Sequence, residues 1–189
     1  MRGTIFIITG PSGVGKTTVA LELLKRRPSL KKVVTYTTRP PRPEETPDVS
    51  YHFVSEAALT DLLNAGELFE WARVYETLYG SKRSDVEGLL SQGNDVLFVI
   101  DVQGAKTIQA EHPETVVIFI DAESDEALMR RLAARDQGKT VNLEERVQAI
   151  QDERTYGATC RYRIVNREGN LEQTVEEALG VMDSLDEKR

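Results

Sequence analysis

The stretch TIFIITGPSGVGKTTVALELLKRR, residues 4–27, decides how the rest of this chain is read. It opens with a short apolar run that stops at a glycine, the pattern of a strand buried on both faces. It closes with helical spacing over residues 16–27, and Pro28 stands just beyond. Between them GPSGVGKT, residues 10–17, meets G-x-x-x-x-G-K-[ST] at every specified position. A strand, a glycine loop and a helix in that order build an anion cradle. Glycines let backbone N–H groups close on phosphate, and the helix N-terminus adds a favourable dipole. The cradle is expected to run through Gly10, Pro11, Ser12, Gly13 and Val14, then Gly15, Lys16, Thr17 and Thr18. Lys16 is placed to reach the β- and γ-phosphates of a nucleoside triphosphate, and the Thr17 hydroxyl to hold Mg²⁺.

The chain has 189 residues, 40% hydrophobic and 29% charged, which suits a folded domain. A net charge of −7 argues against binding nucleic acid or a membrane surface through a broad basic face. Cys160 is the single cysteine, so no internal disulfide and no cysteine-rich zinc site can form. The opening apolar run is too short for a signal peptide, and a reducing cytoplasm is the expected setting. Strands and helices alternate along most of the chain, which predicts an α/β fold: a parallel sheet with helices on both faces. KKVVTYTTR reads as the second strand, and SDVEGLLSQG as a helix with Ser84 as a possible cap. DVLFVID and TVVIFID each end a strand in an aspartate. Asp101 sits where ligands bind in such sheets and can face Mg²⁺ through water or orient an arginine. Asp121 reads as helix capping for the residues that follow.

Residues 35–82 break the alternation and predict a small α+β insertion. Residues 125–159 predict a helical hairpin. The core is then 1–34, 83–124 and 160–189. The insertion opens with YTTRPPRPEETPDVSYHF, residues 36–53. Two arginines among prolines in an acidic protein need a local reason. A guanidinium fork matches phosphate oxygens bidentately, and a stiff loop lowers the entropy lost on binding. Arg39 and Arg42, helped by the hydroxyls of Tyr51 and Tyr79, predict a clamp for an acceptor that already carries a phosphate. His52, His112 and Cys160 have no constellation around them and read as structural.

GPSGVGKTT, TTRPPRPEE, FEW, YGS and IDVQGA occur in that order across nearly the whole chain. Together they resemble the guanylate kinases. The resemblance implies a P-loop nucleoside-monophosphate-kinase-like core, a GMP-binding insertion and a helical lid. It implies transfer of the γ-phosphate of ATP to GMP or dGMP, with Mg²⁺. Arg39, Arg42, Tyr51 and Tyr79 then hold the GMP phosphate, and Glu70 reads guanine with Thr35 and Ser81 beside it; Asp101 belongs to the same GMP site. Arg135 and Arg146 match the family's two lid arginines, and with Lys16 and Arg42 they make up the expected catalytic set. Arg131 shares a helix face with Arg135, so either can act. Asn166 stands where the family contacts the ATP adenine. The chain departs from the family in the loop 44–50, where the family's G-E-x-x-G-x-D-Y reads EETPDVSY and keeps only Glu45 and Tyr51, in Val99 and in DQGKTVN. A kinase of another phosphorylated acceptor, or a related interaction module, are the competing readings. The intact Lys16 and Thr17 speak against the module, and Glu70, Tyr79 and Ser81 against another acceptor. Oligomeric state is not legible.

Overall fold

The structure is a computed structural model that describes residues 3–43, 45–74, 76–135 and 143–186. The side chains of Arg135 and Arg146, and the DQGKTVN loop at 136–142, lie outside the described residues. The chain divides into two compact units, Met1–Ile5 with Ser29–Phe98 and Gln103–Thr115, and Phe6–Pro28 with Val99–Val102 and Val116–Arg189.

The second unit is built on three parallel strands: β1 (Ile5–Thr9), β8 (Val116–Ala122) and β9 (Tyr162–Asn166). All of β1 and nearly all of β8 are buried, which is why both read as unbroken apolar runs. The helices are α1 (Lys16–Arg26), α5 (Asp125–Arg135), α6 (Leu143–Gly157) and α7 (Leu171–Asp186). Arg26 bridges Glu172 and Glu176, and Arg27 bridges Asp183 and Asp186, so the C-terminal end of α1 is tied to both halves of α7.

The first unit holds the parallel pair β2 (Leu30–Lys32) and β7 (Asp95–Val99), flanked by α3 (Arg83–Ser91) and α4 (Val102–Glu111). In this unit β2 neighbours β7, and in the second unit the strands stand in the order β1-β8-β9. The first unit also holds a separate four-stranded sheet of β3 (Tyr36–Thr37), β4 (His52–Phe53), β5 (Leu68–Val74) and β6 (Thr77–Lys82), in the order β4-β3-β6-β5. Helix α2 (Glu56–Asn64) covers one face of that sheet. Ser55 caps it by accepting from Ala58 N, and Gly66 leaves it at φ 68°. Leu59, Leu68 and Leu78 form the core there, with Tyr36, Val54, Leu62 and Leu63 around them. Truncating the fully buried Leu59 to alanine would cost about 2–5 kcal/mol.

Two expectations are corrected. KKVVTYTTR is not one strand: it contributes β2 to the parallel sheet and β3 to the other, because Val33–Thr35 carry the chain from one to the next. Ser84 does not cap α3, which starts at Arg83 with Lys82 at the N-cap position and no side-chain cap bond; the Ser84 hydroxyl donates to Asp85 instead.

Candidate active site

Residues 10–17 connect β1 to α1. Gly10, Gly13 and Gly15 have φ of 135°, 89° and 93°, values that L side chains rarely adopt. Two of these glycines are also sterically required. A Cβ on Gly10 would run into the carbonyl oxygen of Ile120, and one on Gly15 would lie 2.6 Å from Asn166 Nδ2. Gly15 caps α1 without a side-chain bond and no acidic residue occupies the first turn, so the positive end of the helix faces an open cradle. Lys16 Nζ donates to the carbonyls of Gly10 and Pro11, at 2.5 and 3.0 Å, and so arches over its own loop. Ser12, Thr17 and Thr18 are exposed.

Asn166 ends β9 and is 8% exposed. Its Nδ2 donates to Val14 O at 2.7 Å, and its Oδ1 accepts from Thr174 at 3.1 Å. Arg131 donates to its backbone carbonyl. Its amide thereby fastens the phosphate loop to β9 and α7. Asp121 is no helix cap, since Ser124 accepts from Ala127 N in that role. Asp121 is 1% exposed and accepts from Arg154, Arg163 and Ala122 N. Arg131 pairs with Glu123, while Glu153 on α6 feels the charges of Lys16 and Asp101. Burial pushes the Glu153 carboxyl above its ordinary range, with Lys16 opposing and Asp101 adding to the rise.

In the first unit, antiparallel pairing places Glu70 opposite Ser81, Ala72 opposite Tyr79, and Thr37 opposite Tyr79 on the other side. Residues two apart share a face. Thr35, Thr37, Tyr79, Ser81 and Glu70 therefore line the face of the small sheet opposite α2. Glu70, Ser81, Thr35 and Thr37 are buried, at 3%, 0%, 4% and 0% exposure. The Ser81 hydroxyl donates to Glu70 Oε1 at 2.7 Å. Trp71 is 45% exposed. Alternation along β5 turns it away from Glu70, so Glu70 owes its burial to its own face of the sheet and not to its neighbour in sequence.

The arginine loop is closed by a residue that sequence reasoning passed over. Arg39 Nη1 and Nη2 each donate to a Glu45 oxygen at 2.6 Å. Arg39 Nε donates to the Tyr79 hydroxyl at 3.3 Å, and its guanidinium lies over the Tyr51 ring at 4.9 Å. Tyr51 and Tyr79 meet edge to face at 6.2 Å. Glu45 also accepts from Arg42 N at 2.8 Å, while the Arg42 guanidinium is 42% exposed and 3.8 Å away. Burial alone would raise the Glu45 carboxyl, but Arg39 and the Arg42 N–H outweigh it and hold it below its usual range. The signal was present: Glu45 follows Arg42 by three residues inside a loop stiffened by proline.

The divergent loop has its own logic. Asp48 adopts φ 62° where the family pattern carries glycine. Aspartate is among the residues that tolerate this region, and its carboxylate meets His52 Nδ1 at 2.7 Å. Ser50 takes the place of the family's aspartate and accepts from Thr46 N at 3.1 Å. Lys32 donates to the carbonyls of Val49 and Ser50 and reaches over Tyr51. His112 stacks on Phe69 at 4.8 Å, which accounts for it as structural.

The guanylate kinase family profile matches residues 2–185. The chain belongs to the guanylate kinase family. It is 40% identical to a guanylate kinase of Synechococcus sp. over 176 residues, covering 93% of this chain and 80% of that one. A Thermotoga maritima guanylate kinase is 37% identical over 184 residues, covering 97% and 88%. The crystal structure of a guanylate kinase from Anaplasma phagocytophilum superimposes with a TM-score of 0.80 at 29% identity, covering 97% of this chain and 86% of that one. The P-loop and α/β expectations are those of a guanylate kinase, a nucleoside monophosphate kinase and hence an enzyme.

Proposed function

We propose that this guanylate kinase transfers the γ-phosphoryl group of ATP reversibly to GMP or dGMP. The observation that carries the acceptor assignment is the buried Glu70–Ser81 pair. A carboxylate offers only acceptors, and guanine presents donors at N1 and its 2-amino group. Adenine lacks the amino group and its N1 is an acceptor, so AMP would offer Glu70 neither of these donors. A site built on hydrogen bonds can reject such an analogue by about 10⁴–10⁵. Thr35 and Ser81 hold the base from the same sheet face.

The acceptor phosphate binds at Arg39, Arg42, Tyr51 and Tyr79. Arg39 is oriented by Glu45 and Tyr79, and the more open Arg42 supplies the mobile charge. A phosphate monoester has its second pKa near ~6, so the attacking oxygen is ionised at neutral pH and needs no general base. What remains is alignment and neutralisation of charge. The phosphate loop from Gly10 to Thr18 holds the donor, with Lys16 released from its carbonyls onto the β- and γ-phosphates. Arg135 and Arg146 complete the charge around the transferred group, and Asp101 orients the acceptor side.

Among the described residues no three acidic, histidine or cysteine side chains gather into a protein cage for a metal. That suits Mg²⁺, which binds nucleotide phosphates through one or two protein groups and water. The exposed Thr17 hydroxyl and half-buried Asp101 would hold it, and it would neutralise phosphate charge. No described helix is long and apolar enough to cross a membrane. We place the enzyme in the cytoplasm on its cysteine usage, since Cys160 stands alone in the sequence. The test is an ATP–Mg²⁺ assay against GMP, dGMP, AMP, CMP and UMP. Transfer confined to GMP and dGMP is expected. AMP turnover equal to GMP turnover would remove Glu70 as the base reader.

A further inference from the structure

Arg154, near the end of α6, spans two carboxylates. Its Nε donates to Asp121 Oδ1 at 3.0 Å, and its Nη1 to Asp125 Oδ1. Asp121 lies in β8 near its C-terminal end, and Asp125 is the first residue of α5. One guanidinium thus joins the root of α5, the root of α6 and the strand between them. Both oxygens of Asp121 are engaged: Oδ2 accepts from Arg163 at 2.6 Å, and Ala122 N also donates to Oδ1.

The rest of α6 shows why this point matters. Ile150, Arg154 and Gly157 recur at helical spacing and share one face. Ile150 is 7% exposed, and a Cβ on Gly157 would lie 2.5 Å from the Phe119 ring, so the last turn sits directly on β8. Towards the other end Val147 and Gln148 are exposed. Helix α6 is therefore held at its C-terminal half, and Arg146 is carried about 12 Å from Arg154 along the axis. A tilt of about 10° at the root would move that point by about 2 Å. A displacement of about 1 Å is worth about 100-fold in rate when groups must align for transfer.

We propose that Arg154 is a positioning residue for phosphoryl transfer: clamped between Asp121 and Asp125, it fixes the direction of α6 and so the place of Arg146. This rests on the reading of Arg146 as a transfer arginine. The test compares Arg154→Met, Arg154→Lys, Asp125→Asn and Arg146→Ala with the wild type, by steady-state kinetics and by amide hydrogen exchange over 147–157. In Arg154→Met, kcat should fall at least about tenfold, KM for GMP should stay within about twofold, and exchange in α6 should accelerate. Arg154→Lys, which keeps the charge, should recover part of kcat. Asp125 is exposed, so Asp125→Asn keeps the buried Asp121–Arg163 contact and tests the clamp without threatening the fold. A smaller fall in kcat is expected there. Unchanged kcat and exchange in both Arg154→Met and Asp125→Asn would overturn the proposal. So would loss of thermal stability with kcat intact, the mark of a purely structural ion pair. Arg146→Ala separates the two readings: full kcat in that variant removes the transfer role of Arg146, whereas the exchange data read the clamp independently.

Discussion

Glu45 and Arg39 face each other through two parallel hydrogen bonds of 2.6 Å, inside the loop that is to receive a phosphate. The carboxylate presents to the guanidinium the same two-oxygen edge that a phosphate would. It also holds Arg42 N, so a single side chain orders both arginines.

Replacing that carboxylate should loosen the clamp. In Glu45→Gln, KM for GMP is expected to rise about tenfold while KM for ATP stays within about twofold, since a charge-assisted bond is worth about 1.5–3 kcal/mol. Steady-state kinetics with each substrate varied in turn checks this. An unchanged KM for GMP would mean that Arg39 needs no partner. The pH response follows from the depressed carboxyl. Its stabilising contribution is present above the unfolded value near ~4.3 and is lost as pH falls through the lower folded value. The wild-type loop should therefore show an acid transition that Glu45→Gln lacks, readable by NMR of residues 39–51.

Glu70→Gln tests the base reader. An amide would turn a donor towards the guanine 2-amino group or N1. We expect kcat/KM for GMP to drop by about 100-fold, in line with loss of about 3 kcal/mol from a bond to a charged group. KM for ATP should hold, and activity with AMP should rise relative to GMP. The ratio of AMP to GMP turnover is the measurement, and a ratio equal to the wild type's would refute the role.

Much of this is legible in the sequence. The phosphate loop could be read because its function demands glycine at fixed places, and those glycines stand at φ that few other residues tolerate. The alternation of strands and helices was legible because buried strands leave unbroken apolar runs. The site residues brought in by long-range register were not. Thr37 faces the same way as Glu70 only because β3 and β5 both pair with β6, which no local pattern states. Asp121 looked like a cap because its two arginine partners lie 33 and 42 residues away in sequence. The tie from Asn166 to Val14 O joins residues 152 apart in sequence, which no local pattern states.

Asp48 offers a test of backbone strain. At φ 62° a branched side chain is strained, glycine is not, and aspartate is intermediate. Asp48→Val should lose more than about 1 kcal/mol of stability. Asp48→Gly should stay within about 0.5 kcal/mol of the wild type, because relief of strain is offset by a freer unfolded chain and the lost His52 contact. Urea unfolding of the three proteins gives the order. Valine as stable as aspartate would exclude the left-handed backbone.

Glu153 should make stability depend on pH in the opposite sense to Glu45. Its folded carboxyl is raised, so its contribution is full below the unfolded value near ~4.3 and is lost as pH rises through the folded value. Glutamine imitates the protonated form. Glu153→Gln is expected to be more stable than the wild type near neutral pH and equal to it near pH ~4. Denaturant curves at both pH values decide it, and a gap independent of pH would be incompatible with the raised carboxyl.

Asn166→Ala removes the tie between β9 and the phosphate loop. Leaving Val14 O without its donor should cost about 1–3 kcal/mol, and KM for ATP should rise while KM for GMP does not. Equilibrium binding of ATP measures the loop separately from turnover.

The exposed Trp71 has a practical meaning. It is the only tryptophan in the chain, it is bonded directly to Glu70, and its partly exposed indole lies on the opposite face of the strand from the one expected to touch guanine. The protein carries its own fluorophore one peptide bond from the base reader. Filling of the acceptor site can be followed by intrinsic emission in the unlabelled enzyme, without ATP and without catalysis.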